Sequence, residues 1–136
     1  MNYIIREIKE EEYPILSDFL YEAIFIPEGT PVLPKEIINQ PELQVYVKDF
    51  GKNKGDLCLV AEANNEIVGA VWCRIMNDYG HIDAETPSFA ISLYVTGLYD
   101  GFVTLFMLLS AEALIRAQSV TAAALVSSFF LIIFSP

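Results

Sequence analysis

The chain has 136 residues, 54% of them hydrophobic, with eight Lys/Arg against eighteen Asp/Glu for a formal net charge of −10. That length points to one domain, 1–136, able to bury a core; the apolar fraction excludes a disordered chain, and the acidic balance disfavours nucleic acid held through its phosphates. Cys58, Cys73 and the lone His81 are too few for a disulfide framework or a four-thiolate zinc centre, so no metal is expected, and the opening MNYIIREIKEEEYP lacks a secretory signal, which points to the cytoplasm and free thiols.

Residues 3–8 are short, apolar and rich in β-branched side chains, and read as a strand. Glu10, Glu11 and Glu12 follow where a helix start favours negative charge; they read as a solvated helix start rather than a metal site. Ile15, Leu16, Phe19, Leu20, Ala23 and Ile24 recur at helical spacing and give one apolar face, with Pro14 in the first turn, where its missing N–H costs nothing. Pro27, Gly29, Pro31 and Pro34 make residues 26–34 a loop. A second helix is expected over residues 35–50, broken at Pro41, followed by a turn over residues 51–55 that lacks phosphate-loop spacing.

Residues 56–63 and 66–76 read as two strands joined at Asn64 and Asn65. Asparagine tolerates positive φ, so a tight antiparallel hairpin follows. Gly69, inside the second of these strands, marks a bulge or a close backbone approach. After a turn at residues 77–80, a further strand ends at Tyr94, with Pro87 near its start. Strand, helix, helix, hairpin and strand make an α+β fold, a mainly antiparallel sheet flanked by helices.

Two stretches in this order, LVAEANNEIVGAVW over residues 59–72 and DAETPSFAISLY over residues 83–94, resemble the second to fourth strands of the GNAT family of acyl-CoA-dependent N-acetyltransferases. Residues 19–29 and 76–94 are also similar to bacterial members, and the resemblance covers residues 1–94. It implies a GNAT-like mixed sheet and direct transfer of an acetyl group. A neutral primary amine attacks the thioester carbonyl of bound acetyl-CoA, and a backbone N–H donates to the developing oxyanion. On this resemblance the fourth strand offers the backbone of Ile91, Ser92, Leu93 and Tyr94 to the pantetheine arm, with Gly97 and Gly101 beyond it on the cofactor side.

The family's general base lies near the start of that strand, which implies Glu85, with Asp83 second; as a bare residue Glu85 reads equally as an exposed strand-end acid. Tyr21, Phe25 and Trp72 are candidates to line an acceptor pocket, Trp72 also reading as a core aromatic. His81 is either a proton acceptor or a surface residue beside a turn, and Cys58 and Cys73 read as buried small hydrophobes. The implied acceptor is an amine of a small molecule or a peptide, with the acidic chain favouring a cationic one.

Residues 95–136 depart from the pattern. The family signature Arg/Gln-x-x-Gly-x-Gly/Ala lets backbone N–H groups turn toward a pyrophosphate at a helix start. Here residues 95–104 read VTGLYDGFVT: Gly97 and Gly101 stand at another spacing, the Arg/Gln is absent, and Asp100 occupies the place of the phosphate. Sixteen of the eighteen acids and seven of the eight bases lie in residues 1–94, whereas 27 of the 42 residues from 95 to 136 are hydrophobic and only Asp100, Glu112 and Arg116 are charged. Residues 102–117 suit a helix with Glu112 and Arg116 as an i,i+4 pair, and residues 119–126 a strand. Three readings stay open for this third: a shifted reading frame or truncated gene end, a membrane anchor over the uncharged residues 117–136, and a divergent core. The leading expectation is an acetyl-CoA-dependent N-acetyltransferase whose activity in this form is in question. The alternative is a non-catalytic GNAT-like domain, self-associating as a homodimer or membrane-tethered through the apolar tail.

Overall fold

In the computed structural model, which describes residues 3–24, 28–77, 81, 83–85 and 87–93, the chain opens with strand β1 (Tyr3–Glu7) and a 3-10 turn at Glu10–Glu12. Helix α1 (Ile15–Glu22), a 3-10 turn at Lys35–Asn39 and the short helix α2 (Pro41–Gln44) follow. Strands β2 (Leu57–Ala63), β3 (Glu66–Arg74) and β4 (Ser88–Leu93) complete the described elements. The four strands form one sheet in chain order, each antiparallel to the next. This is the α+β, mainly antiparallel arrangement expected from the sequence.

The hairpin forms where the asparagine pair demands it. Asn64 and Asn65 sit at φ 52° and 64°, and two successive positive φ values give the turn whose twist matches that of the flanking strands. Further along, Ala61 faces Gly69 while Glu62 faces Ile67, so Val68 is an extra residue in β3. The extra residue reverses the side-chain alternation: Ile67 packs with the helix-side core and Val68 with the cluster on the opposite face. Gly69 combines the two roles read for it, since it adjoins the bulge and a Cβ there would stand 3.3 Å from the Ser92 backbone oxygen, besides overlapping Cδ2 of Leu93.

The register sorts the strand residues onto two faces. Cys58, Val60, Ala70, Trp72 and Ala90 share one, and α1 lays Leu16, Phe19 and Leu20 on it, all at 0% exposure. Burying each of those side chains is worth roughly 1.5–3 kcal/mol. Ile15 and Ile24, at the margins of the predicted apolar face, are half-buried. Leu59, Ala61, Val71, Phe89, Ile91 and Leu93 make the second face, and β4 is buried along its whole length.

The helix expected over residues 35–50 is largely replaced by turns, with only Pro41–Gln44 in α-helix. Proline cannot donate the N–H that would carry a helix through residue 41, and Gln40 before it is extended at φ −64°, ψ 139°. The end of this segment is captured from elsewhere. Arg74 of β3 donates from Nη1 to the carbonyls of Lys48 at 2.8 Å and Val45 at 3.3 Å, oxygens that a continuing helix would use for itself.

Candidate functional site

Strand β4 ends the described sheet: it pairs with β3 along one edge, and no described strand pairs with the other. Along an antiparallel strand alternate residues turn both backbone groups toward the neighbour, and those between turn both away. Of Ile91, Ser92 and Leu93, therefore, either Ser92 or the flanking pair directs its N–H and C=O off the outer edge. The side chains of Ile91 and Leu93 lie in the second-face cluster, and that of Ser92, 7% exposed, is opposite Ala70 on the α1 face. What β4 can offer a ligand at these positions is accordingly main chain. Tyr94, Gly97, Gly101 and Phe25, also expected to contribute, lie outside the described residues, as do all three readings of residues 95–136.

The connection leading into β4 carries the candidate acids. Glu85 and Asp83 are both exposed, and the Glu85 N–H donates to Oδ1 of Asp83 at 2.8 Å, an Asx-type turn three residues before β4. Nδ1 of His81 lies 3.0 Å from the Met76 carbonyl, to which it donates in the Nδ1–H tautomer. A strand rises about 3.3 Å per residue, so Ser88 and Leu93 are roughly 17 Å apart. Glu85 therefore belongs to the entry end of β4 and Leu93 to its exit.

The two aromatic candidates that the structure describes do different things. Trp72 is wholly buried and its Nε1–H donates to the Tyr46 carbonyl at 3.0 Å. It is the core aromatic of the two readings and presents no surface to an acceptor. Tyr21 is half-buried, and its hydroxyl donates to the Leu33 carbonyl, tying the loop before the Lys35–Asn39 turn to α1. Lys35 sits over the Tyr21 ring at 5.9 Å and pairs with Asp18 at 3.3 Å, so the ring is occupied on one side by this chain's own cation.

Cys58 and Cys73 are buried free thiols. Burial raises both; that of Cys73 is pushed up to about 11, with the Asp56 charge adding to the effect. The register sets them on opposite faces of the sheet, Cys58 across from Trp72 and Cys73 across from Leu57. They are neither a nucleophile nor a disulfide pair in this fold.

Two charged clusters brace the sheet. The Arg6 guanidinium meets Glu12 bidentately at 2.7 and 2.8 Å and Glu62 at 2.8 Å from Nε, while a Glu12 oxygen also accepts the Lys9 N–H at 2.8 Å. Hydrogen bonding to Arg6 holds the Glu12 carboxyl down at about 2. At the other end, Arg74 and Asp56 form an ion pair with side chains only 3% and 1% exposed. Asp56 also accepts the N–H of Gly51 at 2.9 Å and of Asn53 at 3.3 Å, and Arg74 lies 5.4 Å from the Phe50 ring centre. Of the acids Glu10 to Glu12, Glu12 is thus drawn into an ion-pair network, and among the described residues no three His, Cys, Asp or Glu side chains group as a metal site. No described helix is long and apolar enough to cross a membrane.

Comparison with known proteins places this architecture. No protein-family model matches the sequence, and no curated protein does. Solved structures do: the acetyltransferase of the GNAT family from Streptococcus pneumoniae superposes with a TM-score of 0.50 at 16% identity, over 88% of this chain and 71% of that one. A "possible acetyltransferase" from Clostridium difficile 630 superposes with a TM-score of 0.51 at 10% identity, over 89% and 76%. A transcriptional regulator from Bacillus halodurans C-125, at a TM-score of 0.45 and 17% identity over 85% and 77%, is too distant to bear on the fold. The chain has a GNAT-like fold.

Proposed function

We propose that the protein is an acyl-CoA-dependent N-acetyltransferase that moves an acetyl group from acetyl-CoA to a primary amine. The observation that carries this reading is the strand order β1–β2–β3–β4 with the outer edge of β4 unpaired among the described strands, in a fold shared with a GNAT acetyltransferase. The pantetheine arm, rich in amides, lies along that edge and exchanges hydrogen bonds with the outward-turned backbone of Ile91 to Leu93. Its diphosphate end lies past the exit of β4, and its thioester lies toward the entry.

That direction brings the thioester toward the end of the strand at which Glu85 stands. Glu85 accepts the proton that the ammonium form of the acceptor must lose before its nitrogen can attack, directly or through one water. A backbone N–H of β4, fixed by the ladder to β3, donates to the oxyanion as the carbonyl carbon becomes tetrahedral; a donor already in place needs no reorganisation as charge develops. Collapse of the intermediate breaks the C–S bond, and the proton that the attacking nitrogen sheds goes to the departing thiolate, leaving free coenzyme A and a neutral amide on the acceptor. A net charge of −10 favours a cationic amine over an anionic one.

Calorimetric titration of the full chain with acetyl-CoA tests the reading: saturable heat is expected, and its absence at millimolar ligand overturns it. In an acetyl-transfer assay over a panel of amines, Glu85→Gln lowers kcat on the order of 10²-fold while leaving acetyl-CoA affinity unchanged. An unchanged kcat removes Glu85 from the role.

A further inference from the structure

We propose that Gly69 is a positioning residue for acetyl-CoA, a step that rests on the acetyl-transfer reading and assigns a residue on the neighbouring strand to it. Gly69 pairs with Leu93, the last residue of β4, and it adjoins the bulge at Val68. A Cβ at Gly69 would overlap Cδ2 of Leu93, stand 3.1 Å from its Cγ and 3.3 Å from the Ser92 carbonyl oxygen. Leu93 therefore rests its side chain on the bare Cα of Gly69, with the Ser92 carbonyl the next nearest group.

The φ of Gly69 lies outside the left-handed region that only glycine favours, so the turn of the chain does not require glycine there. The space does. Leu93 is 7% exposed and held in the cluster with Val71, Phe89 and Ile91, and its Cγ and the Ser92 carbonyl crowd the same space, so turning Cδ2 aside does not by itself make room. An added methyl would instead lift the exit of β4 away from β3. Of the residues lifted, Ser92 and Leu93, one turns its backbone groups off the outer edge toward the pantetheine arm whichever phase the ladder takes, and misplacing binding groups by a fraction of an ångström is expensive when a ligand spans several of them. Gly69 touches no ligand in this account; it sets the height of the strand that does.

The test uses the full chain in four forms: the parent, Gly69→Ala, Leu93→Ala and Gly69→Ala/Leu93→Ala. Acetyl-CoA affinity is measured by calorimetry and Tm by thermal melting, with Val60→Ala as a control that weakens the core from β2, on the face opposite the Gly69–Leu93 contact. Gly69→Ala is expected to weaken acetyl-CoA binding about tenfold, with KM for acetyl-CoA rising more than kcat falls. The double variant, in which the obstructing side chain is gone, binds as tightly as Leu93→Ala alone. Val60→Ala lowers Tm with affinity intact. If Gly69→Ala lowers Tm but binds acetyl-CoA like the parent, the glycine serves packing only and the proposal is overturned. If Gly69→Ala does not fold, the double variant decides: affinity equal to that of Leu93→Ala supports the proposal, and weaker binding by the folded double variant refutes it. A parent that does not bind acetyl-CoA ends the acetyl-transfer reading, and this inference with it; a parent that binds beside an unaffected Gly69→Ala ends this inference alone.

Discussion

Arg74 shows how one residue can reorganise a segment far from it in sequence. Its guanidinium is taken from water, paired with a buried Asp56 and capped by two carbonyls of the α2-to-β2 connection. Removing one partner strands the other charge inside the protein, which costs about 3–5 kcal/mol. Urea denaturation should therefore find Arg74→Met and Asp56→Asn each strongly destabilising, and the double variant less destabilised than the sum of the two; strict additivity would mean that the groups do not act as a pair.

Glu12 carries a different signature. Its carboxyl titrates at about 2 in the fold against 4.5 when unperturbed, so between those pH values the unfolded chain binds more protons and folding weakens as pH falls. The contribution is whole above pH 4.5 and gone near pH 2. The stability gap between the parent and Glu12→Gln should narrow across that interval; a gap that stays constant down to pH 2.5 contradicts the Arg6 pairing.

At the scale of elements, what the sequence made legible is what depends on nearest neighbours and simple periods. The apolar spacing from Leu16 to Ala23 placed α1, and the asparagine pair between two apolar runs placed the hairpin. Both asparagines occupy positive φ, a conformation costing about 1–2 kcal/mol for an ordinary L residue and nothing for glycine. Asn65→Gly should raise the urea midpoint and Asn65→Ala should lower stability by about 1 kcal/mol; the reverse order would exclude the left-handed turn. The segment over residues 35–50 was misread as mostly helix because its outcome is decided remotely. Pro41 gave a local warning, but Arg74, 26 residues beyond Lys48, sets where its carbonyls point. No pattern within the segment encodes that.

For the whole molecule, the sheet order was legible through the resemblance of residues 59–72 and 83–94, and the structure bears out the fold. The site was legible only as an address. That β4 would supply main chain came only as what the resemblance implies, and the seat of Leu93 on Gly69 joins residues 24 apart and required the register. Trp72 could be a pocket wall or a core side chain until its Nε1–H was found on the Tyr46 carbonyl, and the Tyr21 hydroxyl gave no hint in sequence of its bond to Leu33.

In the proposed reaction the outer edge of β4 receives acetyl-CoA through its backbone. Amide correlation spectra of the 15N-labelled chain, recorded with and without saturating acetyl-CoA, test it most directly. The largest shifts are expected on the β4 amides that face outward among Ile91, Ser92 and Leu93, with β1 at the far side of the described sheet unmoved. Unchanged β4 amides in the presence of saturating acetyl-CoA, or shifts concentrated on β1, would contradict it.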